Sequence, residues 1–289
     1  MTATDTLNPT QSGTRTRRIT RVSRGLPTSD GAGVKLTRML GHRGLMELDP
    51  FLMLDQIRSD DSADYMAGFP NHPHRGFETV TIMLDGKMRH GDNKGHAGVI
   101  EGGGIQWMTA GRGIVHSEIP EQEDGRLWGF QLWVNLPSHM KMTDPGYQEF
   151  GKDEIPVETR DGATLRVLAG SSATGVEGPA RSVSIQPTLI DIVLEPGATL
   201  SEAIDPGHTA FIAVYKGSVA SGEGEVRDPD LGVLEDGDRI ELTAGTEGAS
   251  LLLVAGKPIG EPVARYGPFV MNTEAELHQA VRDFQAGRF

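Results

Sequence analysis

The sequence predicts an all-β protein with two β-barrel domains and one C-terminal helix. Three observations lead to this fold class. The chain has 289 residues, which is long enough for two domains. Its 38 glycines and 17 prolines suit short strands joined by tight turns. Short apolar runs alternate with glycine-rich turns in both halves, and their similar spacing suggests a weak internal duplication.

The first β-rich region covers about residues 33–137. Residues 79–84 are dominated by β-branched side chains, and Asp85-Gly86 directly after them predicts a hairpin turn. Residues 127–136 predict a further strand, because bulky side chains alternate between its two faces. One face carries Trp128, Phe130, Leu132 and Val134, and the other carries Gly129, Gln131 and Trp133. Bulk on both faces indicates a strand inside a sandwich or barrel.

Four segments are expected along the chain. Residues 1–14 have almost nothing to bury and predict a mobile tail. An N-terminal domain over residues 15–140 and a second domain over 141–262 follow, with a C-terminal segment and helix over 263–289.

The C-terminal helix has a capping signal at both ends. Thr273 and Glu276 form a capping-box pattern, and Gly287 stands where a helix should stop. Between them, apolar residues recur at helical spacing: Leu277, Ala280, Val281 and Phe284. We expect this apolar stripe to pack on the β-domains.

Charge and composition exclude several classes of protein. The 27 Lys and Arg against 40 Asp and Glu give a net charge of −13, which disfavours direct binding to nucleic acid. No stretch approaches the roughly 18 apolar residues of a membrane span, and no apolar region follows the basic N-terminus to make a secretory signal. We therefore expect a cytoplasmic protein. The arginine-rich stretch Arg15–Arg24 predicts a solvated arm, with contact to an acidic partner as the alternative.

Two pairs of potential ligands predict a metal site. The chain has no cysteine, so an ion must be held by His, Asp or Glu. His72 and His74 stand two residues apart, and so do His116 and Glu118. Residues at this spacing in extended backbone point to the same face. Pro73 lacks an N–H, which excludes a central ladder position and suggests the first residues of a strand at a barrel mouth. If the two strands are neighbours, four ligands converge on one cation.

The segments FPNHPHRGFETVTIMLDG, IQWMTAGRGIVHSE and LWGFQLWVNLP resemble the pirin family of the cupin superfamily, as do DPFLMLD and the C-terminal GPFVMNTEAELHQAVRDFQAGRF. The resemblance covers most of residues 31–289. It implies two cupin (jelly-roll) barrels face to face, with one metal in the first. Carried over residue by residue, the ligands are His72, His74, His116 and Glu118.

The resemblance also sets expectations for other polar residues. Glu78 occupies the position of an ordinary cupin ligand, and we expect it to orient a ligand or a substrate. His90 and His96 lie in a turn-rich segment. We expect them at the surface or in contact with the ligands, and not as metal ligands themselves. The second domain offers only His208, followed by Thr209 and Ala210, which implies a structural barrel without metal.

A flavonol dioxygenase is the function that the resemblance implies first. The expected cofactor is one divalent transition metal, Fe²⁺ before Mn, Co, Ni, Cu or Zn. The substrates would be O₂ and a small aromatic compound such as quercetin, with Glu118 as catalytic base and Glu78 as the alternative base. Six apolar residues are candidates for the pocket wall: Phe51, Met53, Phe69, Trp107, Met108 and Trp133. The alternative is an iron-dependent redox sensor that regulates a partner protein. We expect a monomer.

Overall fold

The computed structural model describes residues 15–121 and 125–289. The predicted tail at residues 1–14 lies outside the described residues. Within them the chain forms 23 strands, three short 3-10 helices and one α-helix. The 3-10 helices are Ser62–Asp64, Ser138–Met140 and Lys152–Glu154, and the α-helix α1 is Glu274–Gln285.

The strands in chain order are β1 (Thr16–Arg17), β2 (Ile19–Ser23), β3 (Leu26–Asp30), β4 (Val34–Leu40), β5 (Phe51–Ser59), β6 (Phe69–His74), β7 (Phe77–Asp85), β8 (Lys87–Asp92), β9 (Ala97–Glu101), β10 (Ile105–Thr109), β11 (Ile114–Pro120), β12 (Leu127–Asn135), β13 (Gly146–Phe150), β14 (Val157–Arg160), β15 (Ala163–Ala169), β16 (Thr188–Leu194), β17 (Thr199–Ala203), β18 (Thr209–Ser221), β19 (Gly224–Arg227), β20 (Leu231–Leu234), β21 (Arg239–Gly256), β22 (Ala264–Tyr266) and β23 (Phe269–Met271). The predicted all-β class is therefore confirmed.

The N-terminal domain consists of two sheets. Seven strands pair in the order β13-β10-β7-β12-β5-β4-β3, and four pair in the order β6-β11-β8-β9. The turn predicted at Asp85-Gly86 exists, and Gly86 has a φ of 86° that only glycine adopts easily. The predicted hairpin is wrong, however, because β7 and β8 belong to different sheets. The chain crosses from one sheet to the other at this turn, since β7 is already flanked by β10 and β12.

The C-terminal domain is built around one long strand. β21 has 18 residues; its first part pairs with β17, and its second part pairs with β16 and β18. The resulting ten-stranded sheet curls over a core of mainly aliphatic side chains, among them Ile190, Ile212 and Leu253. This interior is a closed hydrophobic core.

The arginine-rich N-terminal stretch belongs to the C-terminal domain. β1 pairs with β21 and β2 with β20. The side chain of Arg17 is fully buried and donates to the carbonyl oxygens of Asp205, His208 and Gly237 at 2.8, 2.9 and 3.0 Å. The expectation of a solvated arm is therefore wrong for this part of the chain, because the arginine satisfies buried carbonyl groups.

The two domains share one hydrophobic core. The outer face of the seven-stranded sheet packs on the C-terminal sheet, and Phe51 meets Phe211 edge to face at 5.3 Å between ring centroids. Val80, Ile82 and Leu132 are fully buried in this interface. The pairing also crosses the predicted domain bounds, because β13 lies beyond residue 140 yet pairs with β10.

The C-terminal helix begins as the capping pattern predicts. The Thr273 hydroxyl accepts a hydrogen bond from the Glu276 amide, and the Glu276 carboxylate accepts one from the Thr273 amide at 2.8 Å. Leu277 and Ala280 are buried against β23 and the chain end. Within the described part of the chain, neither this helix nor any other is long and apolar enough to cross a lipid bilayer.

Candidate metal centre

The two predicted ligand pairs lie on neighbouring strands. β6 and β11 are antiparallel partners, and His116 stands directly opposite His72 in their register. β6 is an edge strand, which explains how it can contain Pro73. The pairing brings two segments, some forty residues apart in sequence, into contact.

The three histidines converge on one point. The ring centroid of His72 lies 4.7 Å from that of His74 and 4.4 Å from that of His116, and His74 and His116 are 5.0 Å apart. One nitrogen from each ring lies within 4.8 Å of the nitrogens of the other two. A single transition-metal ion bound by imidazole nitrogens at roughly 2.0–2.1 Å fits this arrangement.

The protonation of these imidazoles also suits a metal. His74 and His116 are almost completely buried, at 2% and 1% exposure. Burial first, and then the neighbouring histidines, lowers the pKa of both groups well below the usual value. Neither ring nitrogen of His116 has a hydrogen-bond partner among the described residues. A buried imidazole without a partner is costly, and a metal ion would satisfy it.

Glu118 lies beside the three histidines but outside the group of nitrogens. Its Oε2 accepts from Gln131 Nε2 at 2.8 Å, and its Oε1 lies 2.9 Å from the Thr81 hydroxyl, which is also 2.8 Å from Gln131 Oε1. Thr81 has one proton and cannot donate to both oxygens. All three contacts are hydrogen bonds when Glu118 is protonated, because Glu118 then donates to Thr81 and Thr81 donates to Gln131 Oε1. Burial raises the pKa of Glu118, in agreement with this reading.

The site opens into a cavity of about 600 Å³ in the N-terminal domain. His72, His74 and Glu118 line it. Of the six apolar wall residues expected from the sequence, Met53, Phe69 and Trp133 line this cavity. The other three lie in hydrophobic cores: Phe51 and Trp107 at the domain interface, and Met108 beside Ala110 and Ile114. Cavities of this size commonly hold small organic ligands.

Glu78 points away from the histidines. Residues Phe77–Asp85 alternate between two faces, and Glu78 shares its face with Val80 and Ile82, which pack in the domain interface. Its carboxylate accepts from the Thr109 hydroxyl at 2.8 Å and from the Ser182 hydroxyl at 2.6 Å. The catalytic role of Glu78 stays a prediction, and this orientation does not support it.

The remaining histidines lie elsewhere. His90 is buried, with its Nε2 2.7 Å from Glu149 Oε2, and the exposed His96 pairs with Asp92 at 2.8 Å. In the second domain the Nε2 of His208 is 3.9 Å from Asp205. Within residues 15–121 and 125–289, neither His90, His96 nor His208 joins the group of three nitrogens.

The C-terminal segment supports the turn that follows His74. Lys141 is buried and donates to the carbonyl oxygens of Gly76 and Val270 at 2.8 and 3.0 Å. Arg75 pairs with Asp283 of α1 at 2.7 Å. These contacts tie the ligand-bearing segment to both the C-terminal helix and β23.

Sequence reasoning did not identify Thr81, Gln131 or Arg265 as site residues. Thr81 and Gln131 hold the Glu118 carboxylate, and Arg265 lines the cavity from β22. Gln131 could have been identified from the sequence, because side chains alternate between the two faces of its strand and Gln131 shares a face with Trp133, a predicted cavity residue. Nothing in the local sequence connects Arg265 to the histidines.

Comparison with known proteins agrees with this architecture. The family model "Pirin" matches residues 33–134, and the model "Pirin C-terminal cupin domain" matches residues 189–289. A pirin-like protein of Caulobacter vibrioides is 54% identical over 94% of this chain and 99% of its own length. The chain belongs to the pirin family. Both predictions, of the family and of the two-cupin fold, are thereby confirmed.

Two further similar proteins have different names, and one of these names is that of an enzyme. Human pirin is 42% identical over 89% of this chain and 88% of its own. A solved structure named quercetin 2,3-dioxygenase, from Acinetobacter baumannii, superposes with a TM-score of 0.87 at 35% identity, covering 95% of this chain and 99% of that one. The relatives of this chain therefore include proteins named simply as pirins and a protein named as an oxygenase.

Proposed function

We propose that this pirin is a metal-dependent dioxygenase that cleaves flavonols such as quercetin. His72, His74, His116 and Glu118 would hold one divalent ion, with Fe²⁺ as the first choice because imidazole and carboxylate ligands with open positions suit non-haem iron. The observation that carries the proposal is a group of three converging imidazoles, two of which, His72 and His74, line a cavity of about 600 Å³. The similarity to the Acinetobacter quercetin 2,3-dioxygenase supports it.

When bound, the ion would supply a Lewis acid for the flavonol hydroxyl and a redox centre for O₂. The protein would supply the base. Glu118 is the cavity carboxylate on the same strand as His116, and burial raises its pKa, which makes its ionised form a stronger proton acceptor. Once Glu118 has accepted the proton of the flavonol 3-hydroxyl, its carboxyl group can donate to Thr81. Glu118, Thr81 and Gln131 are then joined by three hydrogen bonds.

The apolar wall would bind the rings of the substrate. Met53, Phe69 and Trp133 line the cavity and offer surface for a flat aromatic ligand. The reaction adds both atoms of one O₂ to the flavonol, opens its central ring and releases one carbon as CO. One O₂ is therefore consumed for each CO formed.

The test is aerobic turnover of quercetin by protein loaded separately with each first-row metal, followed by its absorbance and by CO release. We expect E118Q to lower kcat by about 10²-fold or more, since a positioned general base contributes on this order. The matched control is E149Q, which removes a carboxylate of the same domain that pairs with His90 instead of lining the cavity.

Two outcomes would count against the proposal. Absence of ring cleavage with every metal would refute the dioxygenase. Full activity of E118Q together with loss of activity in E78Q would transfer the role of base to Glu78. The regulatory role that the sequence offered as the alternative stays a prediction.

A further inference from the structure

Arg265 brings a positive charge to the cavity from the C-terminal segment. It lies in β22 and lines the same cavity as His72 and His74. Its guanidinium carbon is 4.6 Å from the ring centroid of Trp133, and the Trp133 ring meets His74 edge to face at 5.2 Å. The cation is therefore separated from a predicted metal ligand by a single indole ring.

The hydrogen-bonding groups of Arg265 are largely unused. Its closest acceptors are the Leu52 carbonyl oxygen, 3.4 Å from Nη1, and the Met53 sulfur, 3.8 Å from Nη2. Both contacts are long, and a guanidinium has five N–H donors. In the part of the chain that the structure describes, no carboxylate forms an ion pair with it. Stacking on Trp133 fixes the guanidinium and leaves its edge available.

A second arginine in the same cavity wall provides the contrast. Arg38 binds Asp55 through two hydrogen bonds of 2.8 and 2.7 Å and reaches Asp30 at 2.9 Å. Its charge is thus neutralised within the protein. The nearby acids Asp30, Asp55 and Glu47 act on Arg265 only at longer range. Both oxygens of Asp55 are already bound by Arg38. Of the two arginines in this wall, Arg265 is the one without a carboxylate at ion-pair distance among the described residues.

We propose that Arg265 selects substrates that carry a carboxylate at the end remote from the metal-binding oxygens. Quercetin itself has no carboxylate, so the preferred substrate would be a flavonol-like acid: a flat ring system held by the apolar wall, with one end at the histidines and an acidic group paired with the guanidinium. This inference rests on the proposed function for the metal-facing end only. A carboxylate matches the planar, two-pronged geometry of arginine and forms strong charge-assisted hydrogen bonds.

The experiment compares two ligands that differ in charge and are nearly equal in shape: naphthalene-2-carboxylate and naphthalene-2-carboxamide. Their dissociation constants are measured by calorimetry on zinc-loaded wild-type protein, R265Q and R265K. The matched control is R227Q, which removes an exposed arginine paired with Glu225 in the second domain. Zinc content is measured for each variant and shows that the fold and the histidine site are intact.

We expect the carboxylate to bind at least about tenfold tighter than the amide to wild type and R227Q, the ratio that one charge-assisted contact provides. In R265Q the ratio of the two dissociation constants should fall to within about twofold. R265K should keep part of this ratio, because lysine retains the positive charge but cannot form two parallel hydrogen bonds to a carboxylate. Equal binding of the two ligands to wild type, or no binding of the carboxylate, would overturn the inference. So would a preference that survives in R265Q, since the carboxylate would then be bound by the metal.

This measurement is independent of catalysis. Quercetin turnover is assayed on the same proteins, and its absence in wild type would refute the dioxygenase without affecting the comparison of the two naphthalene ligands. An acid preference that depends on Arg265 would then still identify the ligand class of the cavity.

Discussion

The two cupin domains have the same type of β-architecture and opposite interiors. The core of the C-terminal domain is mainly aliphatic, with side chains such as Val214, Leu251 and Leu253 fully buried. The N-terminal domain instead places imidazoles and a carboxylate around an open cavity. The first interior is a core that stabilises the fold, and the second is a site whose polar groups require a partner.

The difference comes from a few inward-facing positions. In the N-terminal domain the edge strand β6 carries His72 and His74. In the C-terminal domain Ala210, Ile212 and Val214 of β18 fill the interior. Alternation along a strand lets one face change its chemistry while the other keeps the domain interface. A cupin domain can therefore carry or lack a group of potential metal ligands without a change of fold.

The largest effect should come from removing ligands in only one domain. Replacing His72 and His116 together with alanine leaves His74 as the sole imidazole of the group, and we expect bound metal to fall from one ion per chain to almost none. H208A, in the second domain, should retain the wild-type metal content. Metal analysis of purified protein checks both. Unchanged metal in the double variant would show that the ion binds elsewhere.

Adding the same side chain to both domains should give a smaller, unequal effect on stability. Ala255 is fully buried in the aliphatic core, and A255L should lower the free energy of unfolding by about 1–3 kcal/mol through overpacking. Ala32 is exposed at the rim of the open cavity, so A32L should cost less than about 0.5 kcal/mol. Denaturant unfolding of both variants measures the difference, and equal losses would contradict the contrast between a filled and an open interior.

A third contrast is the pH dependence that the buried imidazoles impose on the metal-free protein. Burial lowers the pKa of His74 and His116, whereas in the unfolded chain they titrate near 6.5. Below pH 6.5 the unfolded state therefore binds protons that the folded state excludes, and stability decreases as the pH is lowered. Each group contributes at most about 1.4 kcal/mol per pH unit.

Unfolding of the metal-free protein between pH 7.5 and pH 5 measures this dependence. H116N should reduce the slope, and H278A serves as the control because it removes an exposed imidazole on α1. A wild-type stability that does not change over this range would mean that His74 and His116 accept protons in the folded protein without cost.

Sequence periodicity predicted the central part of the site. A spacing of two residues fixes the face of a side chain in extended backbone, so the sequence alone puts His72 and His74 on one face of a strand. The proline between them excluded a central ladder position, and β6 is an edge strand; the expectation that Pro73 begins the strand is wrong, because it lies next to the last residue of β6. The helix cap at Thr273 could also be predicted from the sequence, because its hydrogen bonds join residues only three positions apart.

The sequence by itself thus determined the β-rich character of both halves, the C-terminal helix and the common face of the two ligands in each pair, because these depend on neighbours in the chain. Only the tertiary structure decided which distant segments meet. It turned Glu78 to the domain interface, placed Arg17 in the second domain and brought Arg265 across to Trp133. Such contacts form where packing of separate sheets brings side chains together, and no local pattern encodes the distance between them.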